Sequence, residues 1–321
     1  MKRLIQDDST NADVIFPYIG GQEVNNSPRH EHHRYAIDFF DRDEEECRRR
    51  WPQLMAIVEA QVKPERMTDN RASYRRYWWQ YGEKRLDLRS AIAGLDRVLV
   101  TNSGATPHLA LAFQPSDRVL AHTLAVFPLT TSAAFCALQA RPHEIWARFF
   151  GSTLEDRLRY TPSDCFETFP FPHGWQDHPA LETAGRAYYD FRADLMVRND
   201  EGMTKAYNRF HDPEERDPDI TKLRALHAEV DRAVLAAYGW DDIPTDCDFI
   251  LDYEVEDDES GRRKKPYRFR WPDVVRDEVL ARLIELNGER AAAEQRARLA
   301  TQTTRRRPAR SRPAPQREGL L

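Results

Sequence analysis

Glu155, Arg157 and Arg159 stand two residues apart in a 321-residue chain, and their types suit the reading of a polar surface. In an extended segment, alternate residues project from one face, so the run Leu154 to Tyr160 presents an acceptor followed by two donors. Arginine pairs bidentately with O6 and N7 of guanine, and a carboxylate accepts from N4 of cytosine. The row therefore suits the major-groove edge of a duplex. The plainer reading is an exposed strand on which Glu155 and Arg157 pair as neighbours, worth about 0.2–1 kcal/mol. Residue chemistry alone leaves both open.

Other residues of chemical interest are fewer. His30, Glu31, His32 and His33 are of zinc-ligand type, but adjacent residues of an extended segment point to opposite faces and no second ligand pair lies near, so a solvated loop is expected and no metal. Tyr74, Tyr77, Trp78 and Tyr81 follow helical spacing, which predicts a helix over Asp69 to Tyr81. Arg71, Arg75 and Arg76 border that stripe, either to dock on phosphate oxygens or to snorkel from an aromatic core face. In KKPYRFRWP, Arg268 and Arg270 flank aromatics and allow a DNA contact or an ordinary surface. Thr123 lies on the strand pattern RVLAHTLAVFPL and is a candidate for the same groove as the row above.

A class I methyltransferase needs a glycine-rich turn so that its backbone can approach S-adenosylmethionine, and an Asp/Asn-Pro-Pro-aromatic motif to hold the target base. Among the 13 glycines no two are separated by a single residue, and there is no Pro-Pro dipeptide. No convincing Asp and Glu-x-Lys set for a magnesium nuclease is present either. The expectation is recognition without catalysis: no catalytic residue and no cofactor in this chain.

The elements that must position these residues follow from pattern. Short Val-, Leu- and Phe-rich runs bounded by turn residues, at Val14 to Ile19, Tyr35 to Phe40 and three times between Arg97 and Leu129, predict a mostly antiparallel sheet. Residues 131–150 read as two helical pieces joined at Pro142. Beyond Pro172 the spacing becomes helical over Leu181 to Val197, Ile220 to Tyr238 and Pro272 to Leu286. The fold class is α+β: a mixed or antiparallel sheet domain, then a helical domain and a disordered basic tail. The Arg- and Pro-rich residues 300–321 cannot bury a core.

Net charge is −5, which weighs against a nucleic-acid binder. Its distribution weighs less: residues 214–259 hold 16 acidic and 4 basic side chains, and residues 262–317 hold 17 basic and 6 acidic. Four scattered cysteines, no secretion signal and no run of about 20 apolar residues fit a cytoplasmic protein that does not enter a membrane.

The stretch LEDRLRYTPSDCFETFPFP resembles the end of the target recognition domain of the MmeI-like, type IIL restriction-modification enzymes. In that family an Arg-Tyr-Ser/Thr run and a Phe-Pro-aromatic-Pro sequence close the domain, matched here by Arg159, Tyr160, Thr161 and Phe169 to Pro172. The resemblance implies that Glu155, Arg157 and Arg159 read bases of double-stranded DNA, and Thr123 is placed with them on its strand position alone. Arg71, Arg75 and Arg76, from their helical spacing, and Tyr160 are the expected backbone or positioning contacts. The resemblance covers nearly the whole chain. It divides the chain into a linker remnant (1–13), a target recognition domain (14–174), a helical domain (175–299) and a tail (300–321). Full-length members carry a nuclease and an adenine-N6 methyltransferase, so S-adenosylmethionine would bind that missing domain, as a separately encoded polypeptide. A phage-defence role follows from the resemblance. A scaffold protein, a truncated remnant and a metal hydrolase built on His30, His32 and His33 are the alternatives.

Overall fold

The computed structural model describes residues 1–154, 157–252 and 267–305. Its strands are β1 (Ile15–Ile19), β2 (Arg34–Ile37), β3 (Arg97–Asn102), β4 (Leu111–Pro115), β5 (Val119–Leu120), β6 (Leu124–Phe127), β7 (Ser152–Leu154), β8 (Arg157–Arg159), β9 (Asp248–Leu251) and β10 (Tyr267–Arg270). They form four small sheets, ordered β2-β1-β5, β4-β3-β6, β7-β8 and β10-β9. All pairings are antiparallel except β1 with β5.

The central sheet is covered on both faces. Val98, Leu99, Val100 and Thr101 of β3 are all buried, which explains a continuous apolar run where a half-exposed strand would alternate. Beside it lies the helix Ser132–Gln139, buried at every position. The helix Pro179–Asn199 packs on it through Gly185, where a Cβ would stand 2.1 Å from the Ser132 carbonyl oxygen. A methyl there would force the helices apart. Arg192 of the same helix is buried and donates to the Leu111 carbonyl at 2.6 Å and to the Tyr207 hydroxyl at 2.9 Å. The core therefore runs unbroken across residue 174, joining Phe135 and Cys136 to Leu181, Tyr188 and Leu223.

A second core gathers Phe39, Trp51, Leu54, Met55 and Trp78. The sequence-based expectation of a linker over residues 1–13 is corrected there. Those residues form a helix (Lys2–Asp7) and a 3-10 turn (Ser9–Asp13); Leu4 and Ile5 pack on this core, and Trp51 donates to the Thr10 carbonyl at 2.8 Å. Two apolar side chains and one indole hydrogen bond dock a segment that lacks periodicity.

The helix expected over residues 69–81 is also corrected, to Ala72–Arg76. Trp79 and Gln80 both donate to the Arg42 carbonyl, at 3.0 and 2.8 Å, and this pulls the chain into turns. Of the aromatic stripe, Trp78 is buried whereas Tyr77 and Tyr81 are exposed. At the other end, the helix Asp273–Arg305 reaches past residue 300, so the first residues assigned to the tail are helical. No helix among the described residues is long and apolar enough to cross a membrane.

Candidate nucleic-acid interface

The helix Arg141–Phe150 ends on Gly151, and the chain turns at once into the β7–β8 hairpin. Only glycine fits there, since a Cβ would lie 2.4 Å from the Ala147 carbonyl oxygen and 2.9 Å from Leu158 Cδ1. In the hairpin Ser152 faces Arg159, Thr153 faces Leu158 and Leu154 faces Arg157. Leu158 is fully buried while Arg157 and Arg159 are exposed on either side of it. This is the period-two alternation of a half-buried strand. Among the described residues, neither guanidinium has a hydrogen-bond or ion-pair partner. Glu155 lies outside the described residues.

Backbone bonds fix the hairpin to a loop of the central sheet. Leu158 and Thr106 exchange two N–H···O bonds of 3.0 Å. The loop is held in turn: the Pro107 carbonyl accepts from Arg148 and from Arg268, each at 2.9 Å. Glu144 supports both arginines, at 2.8 and 3.5 Å. Burial pushes its carboxyl upward, but Arg148 and Arg268 outweigh that and hold it down at about 2. Further along the loop the Ser103 amide donates to the Thr123 carbonyl at 2.9 Å, and the Ser103 hydroxyl to that of His122 at 3.3 Å. Thr123, half-buried, accepts from the Gly21 amide at 3.1 Å. One continuous edge thus brings Thr123 to the two arginines through residues 103–107.

His122 also lines a groove of about 740 Å³, together with Tyr18, Phe40, Tyr74, Arg85 and Arg118. Tyr74 brings the helix Ala72–Arg76 to its lining, without the neighbouring arginines. Arg71 donates to the Tyr74 hydroxyl at 2.7 Å and lies 3.7 Å from Glu83. Arg75 is turned inward onto the Asp69 carbonyl, and Arg76, exposed, lies 5.2 Å over the Tyr77 ring. The groove therefore meets that helix at Tyr74 and the strand entry behind the Ser103 loop at His122. Pattern reading missed it because residues 16–18, 81–94 and 116–122 meet only in the fold. It missed Arg148 and Pro107 for the same reason.

Tyr160 is corrected from a backbone contact to a core residue. It is 1% exposed, and its hydroxyl bonds His143 Nε2 at 3.1 Å. Period-two alternation puts it, like Leu158, on the inner face. The Phe-Pro-aromatic-Pro sequence is structural too. Phe169 packs edge to face on Phe171 at 4.8 Å, Tyr238 donates to the Pro170 carbonyl at 2.9 Å, and Arg290 donates to the Phe171 carbonyl at 2.7 Å. It clamps the hairpin exit against two later helices. Arg268 is buried and salt-bridged to Asp252 at 2.9 Å, and Arg270 pairs with Asp273 at 2.5 Å.

The histidine cluster diverges. His30 Nδ1 bonds the Val24 carbonyl at 2.7 Å, His32 meets Tyr35 edge to face, and His33 Nε2 lies 3.3 Å from Glu23. Among the described residues no group of three His, Cys, Asp or Glu side chains could hold a metal ion.

An exposed arginine hairpin, pinned to a loop of the central sheet, stands on an α+β fold. The family model described as MmeI, target recognition domain, matches residues 1–173. The chain belongs to that family. Among solved structures it is similar to the type IIL restriction-modification enzyme MmeI in complex with DNA, with a TM-score of 0.59 and 17% identity over 91% of this chain. It spans 33% of that enzyme's length. No curated protein matches.

Proposed function

We propose that this chain selects the DNA sequence on which an adenine-N6 methyltransferase acts, as the specificity portion of a restriction-modification system active in phage defence. The observation that carries the reading is the exposure of Arg157 and Arg159, unpartnered among the described residues, on a hairpin fixed to the sheet. Both can approach guanine O6 and N7 without first breaking an ion pair to a described residue. Glu155 would accept from cytosine N4, and Thr123 would meet the same groove. Arg71 and Arg76 would neutralise phosphates, which sets register without specifying sequence. Arg75, bonded to backbone, would support that helix.

Family membership and likeness to an enzyme solved with DNA support this reading. The methyl transfer and its S-adenosylmethionine would belong to another polypeptide or domain. A Glu155→Lys, Arg157→Asp double variant put through binding-site selection tests the assignment. A changed base preference at one or two positions is expected, and an unchanged selected sequence would refute it.

A further inference from the structure

Phe149 and Phe150, in the last turn before the hairpin, are 58% and 41% exposed. Their rings meet edge to face with centroids 4.9 Å apart, and Phe150 rests on the buried Trp146 at 4.3 Å. Phe150 is anchored, so Phe149 is presented to solvent on a firm base. Ordering a large apolar ring at a surface brings no burial in the free protein. Its placement therefore points to a partner.

Phe149 stands at a recess of about 360 Å³ that Arg148, Arg270, Arg276 and Trp271 also line. The Trp271 side chain is buried, yet its indole N–H has no hydrogen-bond partner among the described residues. A buried donor left unsatisfied is destabilising, and an incoming acceptor would relieve it. At the rim Arg270 and Arg276 share the exposed Asp273, at 2.5 and 2.7 Å. Exposed pairs of this kind are weak and readily exchange a carboxylate for a phosphate.

The recess is continuous with the hairpin edge. Arg148 belongs to both, since it lines the recess and donates to Pro107, whose neighbour Thr106 holds Leu158. Gly151 admits no Cβ, because the turn between Phe149 and the hairpin packs closely on Ala147 and Leu158. Apolar side chains in such positions enter base steps and unstack them, in return for a bent duplex that covers more protein.

We propose that Phe149 is a wedge that enters the DNA base stack beside the bases met by Arg157 and Arg159, with Arg270 and Arg276 taking the adjoining phosphates. This rests on the DNA-reading function above. The test places 2-aminopurine at each position in and around the sequence selected by the wild-type chain. One position should brighten severalfold on binding of wild type. Phe149→Ala should abolish that signal, and Phe149→Leu should keep part of it, while both select the wild-type sequence. Phe149 is exposed, so neither variant should unfold. Equal brightening with Phe149→Ala, or no brightening with wild type on its selected duplex, overturns the wedge alone. Failure of the wild-type chain to select any sequence overturns the DNA-reading function and the wedge together.

Discussion

Tyr160→Phe removes one hydroxyl from the core beneath the hairpin. His143 Nδ1 lies 2.7 Å from the Leu138 carbonyl, which can only accept, so that nitrogen carries the proton. Nε2 must then accept from Tyr160, at 3.1 Å. Both side chains are buried, and burial holds the His143 imidazole down at about 4, neutral at pH 7. Phenylalanine keeps the edge-to-face packing on Phe127 at 5.9 Å but leaves Nε2 without a donor. That costs roughly 1–3 kcal/mol. For a chain of this size about 1 kcal/mol lowers the melting temperature by about 2 °C, so a drop of about 2–6 °C is expected. The assay is thermal and urea unfolding of the full chain, with binding-site selection on the folded variant. A lower melting temperature with an unchanged selected sequence supports a core role. Unchanged stability with an altered sequence would refute it and return Tyr160 to the DNA.

Three further outcomes follow from the same core. Asp231→Asn should lower stability by roughly 3–5 kcal/mol, because the buried Arg141 guanidinium loses its buried counter-charge; an unfolding midpoint equal to wild type would contradict this. Gly151→Ala should cost about 1–3 kcal/mol through the clash with the Ala147 carbonyl. Because it displaces the hairpin, it should also weaken duplex binding, and retention of both properties would show that the close approach is dispensable. Acid should destabilise the fold across a defined window. His143 and His108 are held near 4 chiefly by burial, whereas the unfolded chain takes up protons below about 6.5. Their contribution is intact above about 6.5 and lost as pH falls through about 4, by up to about 3 kcal/mol for His143. A urea midpoint that stays flat between pH 7.5 and 5 would count against it.

Most of the architecture was legible because local pattern and tertiary packing agree. The apolar runs of β3, β4 and β6 and the stop at Gly239, which adopts φ +76°, lie where sequence places them, and the two helical pieces part at Ala140, two residues before Pro142. Where packing overrode pattern, the reading failed. Residues 69–81 have helical spacing, but two hydrogen bonds to Arg42 unwind them, and residues 1–13 have none, yet dock through Leu4, Ile5 and Thr10. Alternation along the hairpin correctly predicts that Arg157 and Arg159 share a face. Applied one residue further, the same alternation puts Tyr160 inside, against its assignment to the backbone. The groove and the Arg148–Pro107–Arg268 clamp were invisible because their parts are far apart along the chain.

Guanine N7 is the atom that an arginine must reach, and a methyl group placed there blocks it. Methylation interference on the selected duplex, compared between wild type, Arg157→Ala and Arg159→Ala, is therefore the most direct test of the account. Wild type should show strong interference at guanines within the site, and each variant should lose it at one guanine while keeping the rest. The same interference pattern for all three proteins would mean that these arginines do not touch the bases.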